Sequence, residues 1–373
     1  MRSSAALKML FHDRATAIGS IAGVVAIIFL VGQQLSIFFG LLSFMSRLAD
    51  ISGADIWILS ENADNLNSSG TLPMAYRDRV AGISGVQWVE PLVIGGGSLK
   101  RKDGYTVAVQ VVGLQPPRLA GGPNRFHEGS AVAILDNEGV TVDRLDLANL
   151  GNPSIGDIFE INGRRVRVGA ITQSLRGFGG VLVFTNIEKA REIANLPWDR
   201  CTHLLVKARD GSAVEGITAL LRRTLPRTEV FTTKVLSLST RLYYLRNTGI
   251  GTSFGFTTVI GALVGIVIIS LTMYTNVMNK ARDYAMLRVL GARRRDIRWI
   301  VFLQALYVGA IGIVIGFTLL AGFLSGTRDT TLPLALPWWL PALHALVALL
   351  LCLLGSLFAM RSAVKTDPAA TFR

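Results

Sequence analysis

Two cysteines in 373 residues are too few for a disulfide framework. Cys201 lies in a stretch of mixed polarity and Cys352 inside a long apolar block, so a bridge between them is excluded by their surroundings. Histidine is as scarce: His12, His127, His203 and His344 are scattered without ligand spacing, and no metal site is expected. Charged residues make up only 17% against 50% hydrophobic, too greasy a balance for an ordinary soluble protein. A phosphate-binding loop is missing too. Neither Gly95 to Gly97 nor Gly177 to Gly180 is followed by Lys-Ser/Thr, so the chain cannot hydrolyse ATP alone.

What is there is concentrated in blocks. Ala15 to Ser46 runs 32 residues without a charge, Asn247 to Asn279 runs 33, Trp299 to Thr327 runs 29 and Thr330 to Met360 runs 31. Each exceeds the roughly 20 residues that cross a bilayer's apolar core, so four transmembrane helices are expected over 15–46, 247–279, 299–327 and 330–360. The first is too long for the core of a cleaved signal peptide and reads as a retained anchor. Residues 47–246 are mixed in polarity and rich in short β-type runs, which predicts a large α+β extracytoplasmic domain between helices 1 and 2.

The net charge of +13 would suggest nucleic acid if it covered a soluble domain, but its location argues otherwise. Residues 1–14, 280–298 and 361–373 hold 13 Lys/Arg against 4 acids, whereas 47–246 holds 24 against 20. Basic residues in short flanking segments mark the cytoplasmic side, so both termini and the 280–298 loop are expected inside. No nucleic-acid partner is expected; membrane lipids are.

Within the large domain, Ile56 to Leu59, Val86 to Val93, Tyr105 to Leu114, Ala131 to Leu135, His203 to Lys207 and Glu229 to Thr232 read as strands. Thr71 reads as the cap of a helix carrying Leu72, Tyr76, Val80 and Ile83 on one face. Helices are also predicted over Ala213 to Thr224 and Lys234 to Asn247. Asn162-Gly163 between two alternating runs from Ile155 to Ile171 is a type I′ hairpin signal, because both turn residues need positive φ. Glycines recur four apart at 19/23, 251/255, 261/265, 312/316 and 322/326, which suits close helix packing in lipid. Gly251-Thr-Ser-Phe-Gly255 matches a hydrolase nucleophile pattern and His344 lies at comparable depth. That pattern requires a strand-turn-helix context, however, so Ser253 and His344 are expected to be structural and no catalytic residue is assigned.

The 280–298 loop carries seven Lys/Arg. Its middle, Asp283-Tyr-Ala-Met-Leu-Arg-Val-Leu-Gly-Ala292, places apolar residues at helical spacing with Gly291 as a stop. Lipid headgroups would satisfy Arg293, Arg294 and Arg295 but leave the apolar residues unexplained.

Lys280 to Ile297 resembles the signature of FtsX-like, MacB-type ABC transporter permeases, in which an acidic residue precedes a Leu-Arg-x-x-Gly-Ala run; the family's usual Glu is Asp283 here. Asp367-Pro-Ala-Ala-Thr-Phe-Arg373 is similar to the family's closing motif, and Ile155-Gly-Asp157 with Asn162-Gly163 to its external hairpin. Tyr274-Thr-Asn-Val277 and Tyr284-Ala285 resemble the subgroup of the cyanobacterial glycolipid exporter permease. The resemblance implies a noncatalytic permease homodimer in the bacterial inner membrane, bound to two copies of a separate cytoplasmic ATPase that carries ATP and Mg. It implies export or extraction of a substrate on the outer side, often with a periplasmic adaptor and an outer-membrane channel. The expected ATPase-coupling residues are Asp283, Met286, Leu287, Arg288, Val289, Leu290 and Gly291. A membrane-anchored receptor or scaffold without ATP coupling is the alternative, with an intramembrane serine hydrolase behind it.

Overall fold

The computed structural model describes residues 7–365 except 11, 13, 69, 174, 178–179, 328–329 and 331. The closing motif 367–373 and the charged pair Arg328 and Asp329 lie outside the described residues. The chain forms two compact units, residues 41–251 and residues 1–40 with 252–373.

The 41–251 unit is built on a ten-stranded sheet. Strand β1 (Ile56–Ser60) shows why it is buried on both faces. Successive side chains point to opposite sides, so Ile56 and Ile58 enter one apolar cluster while Trp57 and Leu59 enter another. The main path runs β12 (Thr228–Thr232), β1, β11 (His203–Ala208), β3 (Val86–Lys100), β4 (Thr106–Leu114), β9 (Val181–Asn186), β6 (Gly139–Asp143), β8 (Arg164–Thr172), β5 (Phe126–Glu128). Off that path, β7 (Ile158–Ile161) pairs with both β3 and β8. The β4–β9 and β6–β8 pairs are parallel. Helices covering the first cluster contribute Val80, Ile187, Ala190, Ile193, Ile217 and Leu221. The second cluster takes Leu48 and Ala49 from a short helix, Arg47–Ile51, and Leu236 from the helix Thr233–Asn247.

The β7–β8 hairpin turns as its sequence dictates, with Asn162 at φ 51 and Gly163 at φ 75. Three segments differ from expectation. Ala131–Leu135 is a 3₁₀ helix, because only Ile134 is buried and no alternating set of side chains has a face to enter. Strand β3 continues through Gly95 to Gly97, where the missing side chain of Gly95 admits helix α4 (Ile187–Ala194): a Cβ there would lie 2.9 Å from that of Ala194. Thr71 is not a helix cap. Its hydroxyl accepts from Arg200 at 2.8 and 3.1 Å, Leu72–Pro73 pairs with Arg200–Cys201 as a two-stranded ribbon, and the helix begins at Ala75.

Glu90 of β3 is buried. Its Oε1 accepts from Arg118 at 3.3 Å, the other oxygen has no partner among the described residues, and Arg118 lies over the Trp88 ring. Burial pushes its carboxyl above the ordinary 4.5, against the pull of Arg77 and Arg118. A raised carboxyl holds its proton in the folded state after the unfolded chain has lost it. Stability is therefore lost as pH rises through that window. Glu90→Gln is expected to raise the melting temperature at pH 7.5 and to leave it unchanged at pH 4; a fall at pH 7.5 would mean that the ion pair with Arg118 outweighs the cost of burial.

In the other unit, four helices are long and apolar enough to cross a membrane. They are α1 (Arg14–Met45), α7 (Gly249–Asn279), α9 (Arg294–Gly326) and α10 (Leu340–Lys365). Of the spaced glycines, 312 and 316 make the close seam. A Cβ at either position would lie 2.6–2.7 Å from Val24 or Ile28 of α1, so the backbones meet only because both are glycine. Gly19, Gly255, Gly322 and Gly326 face open space. The fourth apolar block becomes helical only at Leu340. Pro333 and Pro337 keep 332–337 out of helix, and this stretch packs on α1 through Ala335 N–H to Ser36 O at 3.0 Å. Exposed Trp338 and Trp299 suit the two membrane–water interfaces.

Candidate functional site

The loop between α7 and α9 holds helix α8 (Ala281–Val289). Its end is a glycine-closed cap: Gly291 sits at φ 97, and Ala292 N–H reaches back to Leu287 O at 2.9 Å. Any residue with a Cβ is disfavoured in that left-handed conformation. Helix α9 starts three residues after Gly291, where the Asp296 carboxylate accepts from Arg293 N–H at 3.1 Å. Only a short turn thus separates α8 from the third span.

The two faces of α8 have different employment. Tyr284 is buried, with its phenol donating to Gln304 Oε1 of α9 at 2.9 Å, and it packs with Val277, Ile297, Ile300 and Val301. Burial first, and then the Asp283 carboxylate, raise its phenol above the ordinary value. Leu287, three residues on, packs partly against the same cluster. Met286, Val289 and Leu290 point outward, at 56%, 74% and 82% exposure. Asp283 is exposed in the first turn, where its charge favours the helix dipole. The side chain of Arg288 lies outside those described. The expected coupling residues therefore fall on two surfaces. Leu287 joins the inward one, and Tyr284, which sequence reasoning left out of the site, is its anchor.

A second polar constellation lies in the 41–251 unit. On helix α6 (Thr233–Asn247), Arg241 binds Asp50 Oδ2 at 2.9 Å and Ser46 Oγ at 2.8 Å. One turn further, Tyr244 OH accepts from Asn67 Nδ2 at 3.1 Å, and Asn67 Oδ1 accepts from Gln110 Nε2 of β4 at 2.9 Å. Thr240 Oγ1 accepts from Leu66 N–H at 3.0 Å. These bonds tie the helix that precedes α7 to Ser46 and Asp50 and to the loop 61–70, and through that loop to the central sheet. They join residues up to 195 positions apart, so no local spacing could announce them.

Ser253 lies exposed inside helix α7, not on a strand-to-helix turn. His344 is buried edge-on against Phe317, with ring centroids 5.8 Å apart. No hydrogen bond joins the two among the described residues. Nor do three His, Cys, Asp or Glu side chains converge as a metal site would need, among the described residues.

Four apolar helices, a large α+β domain inserted after the first, and a short helix-bearing basic loop between the second and third define a membrane permease subunit. Residues 15–224 match the MacB-like periplasmic core domain and residues 255–368 the FtsX-like permease C-terminal region. The chain belongs to this MacB/FtsX family of ABC transporter permeases, multi-pass proteins of the inner membrane that associate with a cytoplasmic ATPase. No curated protein matches it. Among solved structures it is similar to the periplasmic region of MacB from Actinobacillus actinomycetemcomitans, with 14% identity over 51% of this chain and 93% of that one, TM-score 0.39. It is also similar to the extracellular domain of the noncanonic ABC-type transporter YknZ from Gram-positive bacteria, with 11% identity over 47% and 98%, TM-score 0.35. A domain of a permease protein from Porphyromonas gingivalis matches with 13% identity over 48% and 88%, TM-score 0.30.

Proposed function

We propose that this chain is the noncatalytic subunit that receives the motion of a separate ATPase on α8 and passes it across the membrane to its own outer domain, for export or extraction of a substrate. The supporting observation is the division of α8 into two faces. Tyr284 and Leu287 fasten it to the start of α9, while Met286, Val289 and Leu290 offer an apolar knob to a partner. A stiff element fixed at one face and sticky at the other can transmit a push; a floppy loop would absorb it.

ATP and Mg belong to the partner in this reading, and two ATPase copies serve a permease homodimer. The apolar stretch of α7 is almost wholly uncovered within one chain, which leaves surface for a second copy. Both termini and α8 face the cytoplasm; the 41–251 unit faces out, where an adaptor and an outer-membrane channel would meet it. Extraction in mild detergent, followed by identification of co-purifying proteins, is expected to return an ABC ATPase. Its absence would favour a receptor or scaffold without ATP coupling. Labelling of a cysteine at position 290 from outside, or protection of one at position 163, would overturn the orientation.

A further inference from the structure

The sheet of the 41–251 unit has an internal gap. Along one edge, β3 pairs with β11 as far as Leu92 and with β7 from Leu99. Between them no strand covers it. Thr202 Oγ1 accepts from Ile94 N–H at 2.8 Å at one end of the gap. At the other, the Asn162 side chain accepts from Ser98 N–H at 2.9 Å, while its amide donates to Ile193 O at 3.1 Å and weakly to Gly96 O at 3.4 Å. Strand alternation then directs Ile94 C=O and Gly96 N–H to the same open edge. Neither has a protein partner among the described residues.

A cleft of about 640 Å³ opens over these two groups. Its lining includes Ile94, Ile193, Ala194 and Leu196 on the apolar side, with Thr71 and Arg164 on the polar side. The Arg164 guanidinium is already matched by Glu192 at 3.4 Å, so the cleft offers no unpaired cation for a phosphate. Gly96 leaves it open: a Cβ built there meets nothing within 4 Å, and its φ lies outside the left-handed region.

We propose that this cleft binds a short extended peptide segment by adding it to the open edge of β3. The two free groups flank Gly95, and this is the pair that one residue of a strand parallel to β3 bonds, through its own N–H and C=O. Between Thr202 and Asn162 the open stretch runs from Ile94 C=O to Gly96 N–H, about 7 Å at roughly 3.3 Å per residue, which seats one peptide residue on the edge while its neighbours lie in the cleft. Backbone hydrogen bonds supply the affinity, and the apolar lining takes alternate side chains. Small or apolar residues suit it; a polyanion does not.

The proposal does not rest on ATP coupling, and its test contains no ATPase, so each reading can fail without the other. The full chain in lipid nanodiscs is mixed with a randomised hexapeptide pool bearing a benzophenone, irradiated, and mapped by mass spectrometry. Cross-links are expected to concentrate on residues 93–98 and 193–196. Gly96→Val is expected to fold normally, by melting temperature, yet to cut them about tenfold or more, as two lost backbone bonds of about 1 kcal/mol each imply. A pool N-methylated along its backbone should lose them equally on the wild-type protein, which keeps the test valid if the variant misfolds. Cross-links elsewhere, none above background, or undiminished capture of the N-methylated pool would each overturn the proposal.

Discussion

Aspartate at both Val289 and Leu290 is expected to strip the ATPase from the permease while the four-helix protein still inserts at normal levels. These residues, the last of α8 and the one after it, are 74% and 82% exposed and touch little in their own chain. If a partner groove covers them, each contributes about 1.5–3 kcal/mol of burial, so their joint loss weakens docking by on the order of a hundredfold or more. Leu287→Asp should differ in kind. Leu287 packs partly against the cluster that holds Tyr284, so a charge there disturbs the seat of α8 and lowers stability as well as docking. Comparing ATPase co-purification with thermal stability for the two variants separates these effects. Retention of the ATPase by the double variant would return the loop to a lipid-headgroup role.

Breaking the bonds of α6 is expected to give the converse phenotype, with the ATPase bound and cycling but transport lost. Tyr244→Phe removes the hydroxyl that Asn67 reaches, and Arg241→Ala removes the tie to Asp50 and Ser46. The Arg241–Asp50 pair is partly exposed, so its own contribution to stability is small, about 1 kcal/mol or less. The expected cost lies in transmission, because α6 leads through Thr248 into α7, the span that carries α8 at its far end. ATP turnover and substrate export are measured on the same preparation, with Lys at 241 as the conservative rescue. Parallel loss of both activities would reduce these contacts to scaffold; export unchanged in both variants would remove them from the path.

Much of this architecture is legible in the sequence for identifiable reasons. Span number follows from charge-free length, and the β7–β8 hairpin from two residues that tolerate positive φ. Hydropathy, however, averages over composition and does not weigh Pro333 and Pro337, so the fourth block reads as helical ten residues before its helix starts. In α8, a count of apolar residues gathers Met286, Leu287, Val289 and Leu290 into one stripe. At 100° per residue Leu287 stands well away from Val289 and shares a side with Tyr284, whose hydroxyl invites a surface assignment until Gln304 is seen to accept from it. The α6 bonds and the gap in β3 are products of the tertiary fold. Each depends on where distant strands stop, and no window along the chain contains that information.

The seam between α1 and α9 also sets a timetable for biogenesis. The surface of α1 that Gly312 and Gly316 receive leaves the ribosome ahead of the whole 41–251 unit and the second span, whereas those glycines follow both. At roughly 5–20 residues per second, the nascent first helix waits on the order of tens of seconds for its partner. During that interval lipid or an insertion chaperone must cover Val24 and Ile28, and the 41–251 unit has time to close its sheet before the membrane bundle exists.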